Sequence, residues 1–386
     1  MRILHIYELG PLGEDTVHGG LEIAILELCK ALAERGHEVS ILAGAGKNGR
    51  TSRYRIDGVE VIPVDFLGLM RRTWSASSLS VARQAFFPLA ARNIGGHDYD
   101  IYHGHVYVSG LIAWLMARRN RAVAVNTIHG SYYNVWEKIA PQGKAMVFKA
   151  LERVLVPLLA KLTDLQIHTS ASFARQVLGW GLPQSKIKYI PNGVDPEVFR
   201  EKSTIKEGQG RIFTARRLVR KNGLEHLIGA LRHLDGLDYH LYIAGDGPEK
   251  NRLMSMSSSL GLDNRVTFLG PISHRDVAEE LARAEMAVIP SLVEATSLFM
   301  LEALAMGKLV IASRSEGLRD VINGCNGVLV RPGDERALAE AILRAASDPS
   351  VGKMRAEAVK TARRFPWRKI AEITEKEYER LMKLRR

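Results

Sequence analysis

Cysteine is nearly missing from this chain: there are 2 among 386 residues, Cys29 and Cys325, and neither has histidine or cysteine at ligand spacing. That excludes a disulfide framework and a zinc motif, and it fits a reducing compartment. Long apolar runs are missing too. The longest, Val106 to Ala117, is short of the roughly 20 residues that cross a bilayer. The start, Met1-Arg2-Ile3-Leu4-His5-Ile6-Tyr7-Glu8, lacks the apolar region and small-residue cleavage site of a secretory signal, so it reads as a buried strand. A cytoplasmic protein is expected. Acidic residues are the minority charge, 42 against 54 Lys and Arg, for a formal net charge of +12. Such an excess points to an anionic partner. A nucleic-acid binder would show basic faces interleaved with aromatics or a known module; neither is present, so nucleic acid is not expected.

With 46% hydrophobic residues, the chain has enough apolar side chains for real cores, and its length implies two domains. Short β-branched runs alternate with helical patterns: Ile3–Tyr7, Val39–Leu42, Val59–Val64, Val123–Ile128, Leu165–Thr169 and Ile187–Ile190. After Pro191 the chain turns polar, and the pattern restarts with Ile212–Thr214, His240–Ala244, Val266–Leu269, Met286–Pro290, Leu309–Ala312 and Val328–Val330. The expectation is an α/β protein with a doubly wound domain over 1–191, a linker over 192–210, a second such domain over 211–365, and a helix over 366–386 returning to the first. Ligands of such sheets bind beyond the carboxyl ends of the strands, so a deep cleft between two facing domains is the place to look for chemistry.

Candidate residues follow strand ends. Gly19-Gly20 opens a helix after the first strand, where backbone N–H groups can approach an anion. Arg216, Arg217, Arg220 and Lys221 follow the strand Ile212–Thr214. Arg217 and Lys221 are the preferred phosphate ligands, one a planar fork and the other a point charge. Gly245 and Gly247 lie in a turn whose glycines suit close backbone approach to a ligand, and both are candidate donor-binding residues. Glu294 precedes a helix capped by Thr296 or Ser297, and Glu302 lies on it among apolar residues, where a carboxylate is costly without partners. The diols of a sugar or ribose would supply them. His129, in Asn126-Thr127-Ile128-His129-Gly130, follows a strand to the same kind of position.

Together these segments resemble the retaining glycosyltransferases of family 4. The resemblance rests on Gly19-Gly20, Pro191-Asn192-Gly193-Val194-Asp195, Arg217-Leu218-Val219 with Lys221-Asn222-Gly223, Ala244-Gly245-Asp246-Gly247-Pro248, and Glu294 paired with Glu302. It implies the GT-B fold, two facing Rossmann-like domains, and a nucleotide-sugar donor, UDP- or GDP-linked, acting on a glycan, lipid-linked or small-molecule acceptor. It puts Arg217 and Lys221 on the diphosphate together with the N–H groups of Ser297, Leu298 and Phe299, Glu302 on the ribose, and Glu294 and His129 on the transferred sugar. Gly19-Gly20 would close over the donor phosphate. No metal or other cofactor is implied. Three departures stand out: Ser297 where Gly is common, Gly130 where Asp is common, and Lys221 one position early.

Two alternatives share the architecture, a sugar-nucleotide 2-epimerase and a non-catalytic nucleotide-sugar-binding protein. A glycogen or starch synthase would carry Lys where His18 stands. From Phe66 to His97 no acid occurs, while Arg71, Arg72, Arg83 and Arg92 alternate with Trp74, Phe86 and Phe87. That stretch, with Arg71, Arg72 and Trp74 as leading residues, is expected to bind an anionic membrane surface peripherally, on its inner face.

Overall fold

A computed structural model describes residues 1–7, 19–44, 52–64, 98–140, 143–201, 204–234 and 236–385. Residues 8–18 of the first loop and the stretch 66–93, with Arg71, Arg72 and Trp74, lie outside them.

Two parallel sheets organise the chain. The first holds β1 (Arg2–Tyr7), β2 (Glu38–Gly44), β3 (Tyr54–Ile56), β4 (Val59–Val64), β5 (Ile101–His105), β6 (Val123–Ile128), β7 (Leu165–His168) and β8 (Ile187–Tyr189), in the order β3-β4-β2-β1-β5-β6-β7-β8. All neighbours are parallel except β3 and β4. The second holds β9 (Arg211–Ala215), β10 (His240–Ala244), β11 (Val266–Gly270), β12 (Met286–Ile289), β13 (Leu309–Ser313) and β14 (Val328–Val330), in the order β11-β10-β9-β12-β13-β14. The chain order reverses between β1 and β5 in one sheet and between β9 and β12 in the other. These switch points are where open α/β sheets accept ligands.

The strands are apolar because both faces are covered: β6 and β13 are buried at every position. Strand β5 departs from the expected pattern. Its sequence, Ile-Tyr-His-Gly-His, reads as polar and glycine-broken, yet all its residues are buried. Gly104 is there because a Cβ would lie 2.2 Å from the carbonyl oxygen of Ser109, on the helix Val106–Arg119.

The chain divides into two compact units, one of residues 1–133, 147–191 and 367–386, the other of 134–146 and 192–366. Within the first, the helix Trp367–Arg385 packs on Gly20–Glu34 and buries Ile370, Ala371, Thr374 and Tyr378. Glu375 on that helix accepts hydrogen bonds from Arg35 and His37.

Candidate functional site

In the second unit, the loops leaving β9 and β12 meet at the switch point. Residues 216 and 217 leave β9 in succession, and successive side chains of extended backbone point opposite ways. Arg216 turns inward and pairs with Glu294; the two side chains are 7% and 14% exposed. Arg217 is exposed. Ser291 Oγ also donates to Glu294, at 3.3 Å. Burial alone would raise the Glu294 carboxyl, but the charges of Arg216 and Lys221 and the bonds from Arg216 and Ser291 hold it below the usual carboxylate range. Two further donors of Arg216, Nε and Nη1, are buried and, among the described residues, have no partner. One carboxylate thus faces two cations, with guanidinium N–H groups unspent, an arrangement that favours a further anion.

Glycines bring these loops into contact. A Cβ on Gly245, whose φ is +128°, would lie 2.0 Å from the Arg216 carbonyl oxygen, and one on Gly247 would lie 2.3 Å from that of Leu218. In the structure these glycines admit the backbone of 216–218, whereas the approach expected of them is to a ligand. Leu218 N–H donates to Asp246 O at 2.9 Å, and Leu292 N–H to Lys221 O at 2.8 Å, so the three loops are mutually fixed.

Ser297 caps the helix Leu298–Ala305, its hydroxyl accepting from Met300 N–H. Leu298 and Phe299 form the first turn, where N–H groups carry the positive end of the helix dipole. Glu302 is buried on this helix, and its Oε1 is 2.7 Å from His274 Nε2. Asn192, from the polar segment after β8, donates to Thr296 O at 2.7 Å and steadies the same loop.

In the first unit, the helix Gly20–Glu34 begins at Gly19 with its own acid in the first turn. Glu22 Oε2 lies 2.9 Å from where a Gly19 Cβ would stand, and Glu22 accepts from Tyr7. At the other side of the switch point, histidines gather. His5 Nδ1 is 2.9 Å from His105 Nε2, and His105 Nδ1 is 2.9 Å from His129 Nε2. His103 is bonded to Tyr378 Oη and Thr127 Oγ1, each at 2.6 Å. Burial lowers His5 and His129 to about 3, and lowers His103 and His105 well below the ordinary value. All four rings are therefore neutral at pH 7. The nitrogens of His5, His103 and His105 lie within 4.8 Å of one another, a spacing a cation could use. Every one of them except His5 Nε2 is already hydrogen-bonded, so the set fits a bonded chain of imidazoles.

Among the residues singled out in the sequence, the structure brings Glu294 and Lys221 into electrostatic contact, and places Ser297, Leu298, Phe299 and Glu302 on one short helix. It adds Arg216, His274, His5 and His105. Arg216 was visible as one of four cations, but which of two adjacent arginines faces inward depends on the exit angle of β9. His274 lies 28 residues from Glu302 in sequence, and no local pattern links them.

Residues 18–198 match the profile of Glycosyltransferase Family 4, and 195–365 that of Glycosyl transferases group 1. The "Phosphatidyl-myo-inositol mannosyltransferase" of Mycolicibacterium smegmatis is 26% identical over 376 residues, 94% of this chain and 90% of that one. Sucrose-phosphate synthase (tll1590) from Thermosynechococcus elongatus superposes with a TM-score of 0.87 at 24% identity, over 99% of each chain. Anabaena Alr3699/HepE, in complex with UDP-glucose, gives 0.74 at 20% identity over 98% of this chain and 99% of that one. Both halves of the chain thus match one enzyme class, on two Rossmann-like sheets of the corresponding fold, and the protein belongs to the family 4 glycosyltransferases with the GT-B fold.

Proposed function

We propose that this glycosyltransferase is retaining and hexose-transferring, takes a UDP- or GDP-sugar as donor, and glycosylates a hydroxyl of a lipid-linked acceptor. The observation that carries the donor side is the buried cationic excess around Glu294. A diphosphate would accept from Arg217, Lys221 and the backbone N–H groups of Ser297, Leu298 and Phe299, with the buried Arg216 adding its charge from behind. Glu302 uses Oε1 for His274, leaving Oε2 for the ribose hydroxyls. Glu294, held ionised, accepts from hydroxyls of the transferred sugar, and His129 is assigned to another of them. Gly19 and Gly20 line the donor phosphate.

In the reaction, the bond from the anomeric carbon to the diphosphate oxygen breaks, and its electron pair stays on the diphosphate. The acceptor oxygen attacks the same face and its proton passes to the departing diphosphate. Catalysis is then positioning plus electrostatic stabilisation of the leaving group by the chain's own cations and helix terminus. No side-chain nucleophile, metal or cofactor takes part. The nucleotide–sugar complex of Anabaena Alr3699/HepE supports this donor class.

The acceptor side is supported by the helix Lys144–Leu162. Val147, Leu151, Val154 and Leu158 recur at helical spacing and are 44–62% exposed, while the exposed charges of this helix are Lys144, Arg153 and Lys161 and its one acid, Glu152, is buried. An apolar stripe edged with cations suits an anionic lipid interface. The name of the Mycolicibacterium smegmatis relative, a mannosyltransferase of phosphatidyl-myo-inositol, fits that choice. Thermal shift against UDP-, GDP- and ADP-sugars tests the donor, since a ligand of the folded state raises the melting temperature. Proton NMR of the glycoside then reads the anomeric configuration. No shift with any of these, or an inverted product, contradicts the proposal.

A further inference from the structure

We infer that His5 and His105 fix the tautomer of His129, so that His129 presents its Nδ1–H as a hydrogen-bond donor to a sugar hydroxyl oxygen.

A neutral imidazole has one N–H and one bare nitrogen. Three neutral rings joined by two bonds therefore admit two proton arrangements, one running from His5 toward His129 and one the reverse. The end of the chain chooses between them. His5 Nε2 is buried and, among the described residues, has no partner. The reverse arrangement would put an N–H there, and orphaned buried donors are rarely kept in native structures, whereas a bare acceptor is tolerated more easily. So His5 Nδ1–H donates to His105 Nε2, and His105 Nδ1–H donates to His129 Nε2. The proton of His129 is then on Nδ1, and among the described residues nothing is bonded to that atom.

His103 does not set the direction, because both of its partners are hydroxyls that can turn to donate or accept. It stacks on His105, with ring centroids 4.6 Å apart, and so holds the ring in place. The chain of rings climbs three adjacent strands. His5 lies inside β1, His105 ends β5, and His129 follows β6, so the last N–H is delivered at the carboxyl end of the sheet. Val106, directly after His105, has a φ of +70°. A β-branched residue in the left-handed region is strained, and strain of this kind marks places where geometry is held for function. His5 and His105 are positioning residues: they act on substrate only through His129. With its proton on Nδ1, His129 is a donor and not a base, which agrees with the acceptor proton leaving through the diphosphate.

The role of the tautomer rests on the reading that His129 meets the sugar; the tautomer itself does not. Long-range proton–nitrogen correlation NMR on protein labelled with [15N]histidine reads it directly at pH 7, without substrate. The expected spectrum has His129 protonated on Nδ1 and bare on Nε2. His105→Asn, whose amide N–H stands where Nδ1–H stood, should keep that tautomer and most of the activity. His105→Phe should let the proton move to Nε2 and lower kcat/KM about tenfold, or about 1.4 kcal/mol. A wild-type His129 carrying its proton on Nε2, or on both nitrogens, overturns the inference, and that reading needs no variant to fold. An unchanged tautomer in His105→Phe overturns it as well. If instead His129→Ala turns over normally while the spectrum is as expected, the assignment of His129 to the sugar fails and the relay stands.

Discussion

The two units end their sheets at equivalent switch points and fill them with opposite chemistry. Beside β1 and β5 the first unit buries uncharged imidazoles that are hydrogen-bonded to one another. Beside β9 and β12 the second buries charges, a carboxylate against a guanidinium with a lysine close by. Neutral hydrogen bonds carry direction and little field, so the first arrangement is suited to orienting a hydroxyl. Paired charges with cations in excess carry field, so the second is suited to holding a diphosphate. One topology thus supports both tasks, and the side chains at the strand ends decide which.

Removing charge from the second unit should have the largest effect. Arg216→Met leaves Glu294 buried without its partner, which typically costs about 3–5 kcal/mol. Denaturant unfolding should show the loss as a lower midpoint, and adding Glu294→Gln should recover most of it, because a neutral amide needs no counter-charge. A midpoint unchanged in Arg216→Met would mean the pair is not formed.

Next come the two cations assigned to the donor. Arg217→Ala and Lys221→Ala should each lower kcat/KM by one to two orders of magnitude, equivalent to about 1.5–3 kcal/mol for a lost charge-assisted bond. Since Arg217 is exposed, its variant should unfold like the wild type. Steady-state kinetics alongside unfolding curves separates the two effects.

Acid sharpens the contrast further. The neutral rings of the first unit titrate near 6.5 when unfolded but at about 3 for His5 and His129 when folded. Between those values the unfolded state binds more protons, so stability falls as pH drops below about 6.5, by roughly 1.4 kcal/mol per pH unit for each such ring. Glu294 also has a lowered folded value, from an ordinary 4.5, so its contribution is full above that pH and is lost only as pH falls further. Melting temperature against pH should therefore begin to fall near pH 6.5, and His5→Phe should make that limb shallower. A profile flat down to pH 4.5 would contradict neutral burial.

Much of this was legible in the sequence. Parallel strands buried on both faces leave continuous β-branched runs, and the twelve runs read from the sequence all fall on strands of the structure. The two strands not foreseen, β3 and β5, lack that signature. The residues 54–56 are too few to show a period, and β5 spends two of its positions on histidine and one on glycine. One of them, His105, is the middle ring of the inferred relay and the other, His103, stacks on it, so the apolar pattern of a strand failed where buried hydrogen-bonded side chains displaced it. Loop residues such as Glu294 and Lys221 could be picked out by their position after strands. Their partners could not, because Arg216 with Glu294 and His274 with Glu302 are joined only by the packing of separate loops.

The smallest expected effect distinguishes the two glutamates. Glu302→Gln keeps a hydrogen-bonding group for His274 and ribose and should raise the donor KM several-fold with kcat nearly unchanged, as for a contact uniform through the reaction. Glu294→Gln should lower kcat. The opposite split would reverse the two assignments.

The second unit is proposed to hold a nucleotide sugar by its diphosphate. Release of nucleoside diphosphate from UDP- and GDP-sugars by purified protein tests this most directly, with and without lipid acceptor and beside Lys221→Ala. The predicted result is release by the wild type that acceptor stimulates and the variant reduces at least tenfold. Release equal in wild type and variant would contradict it.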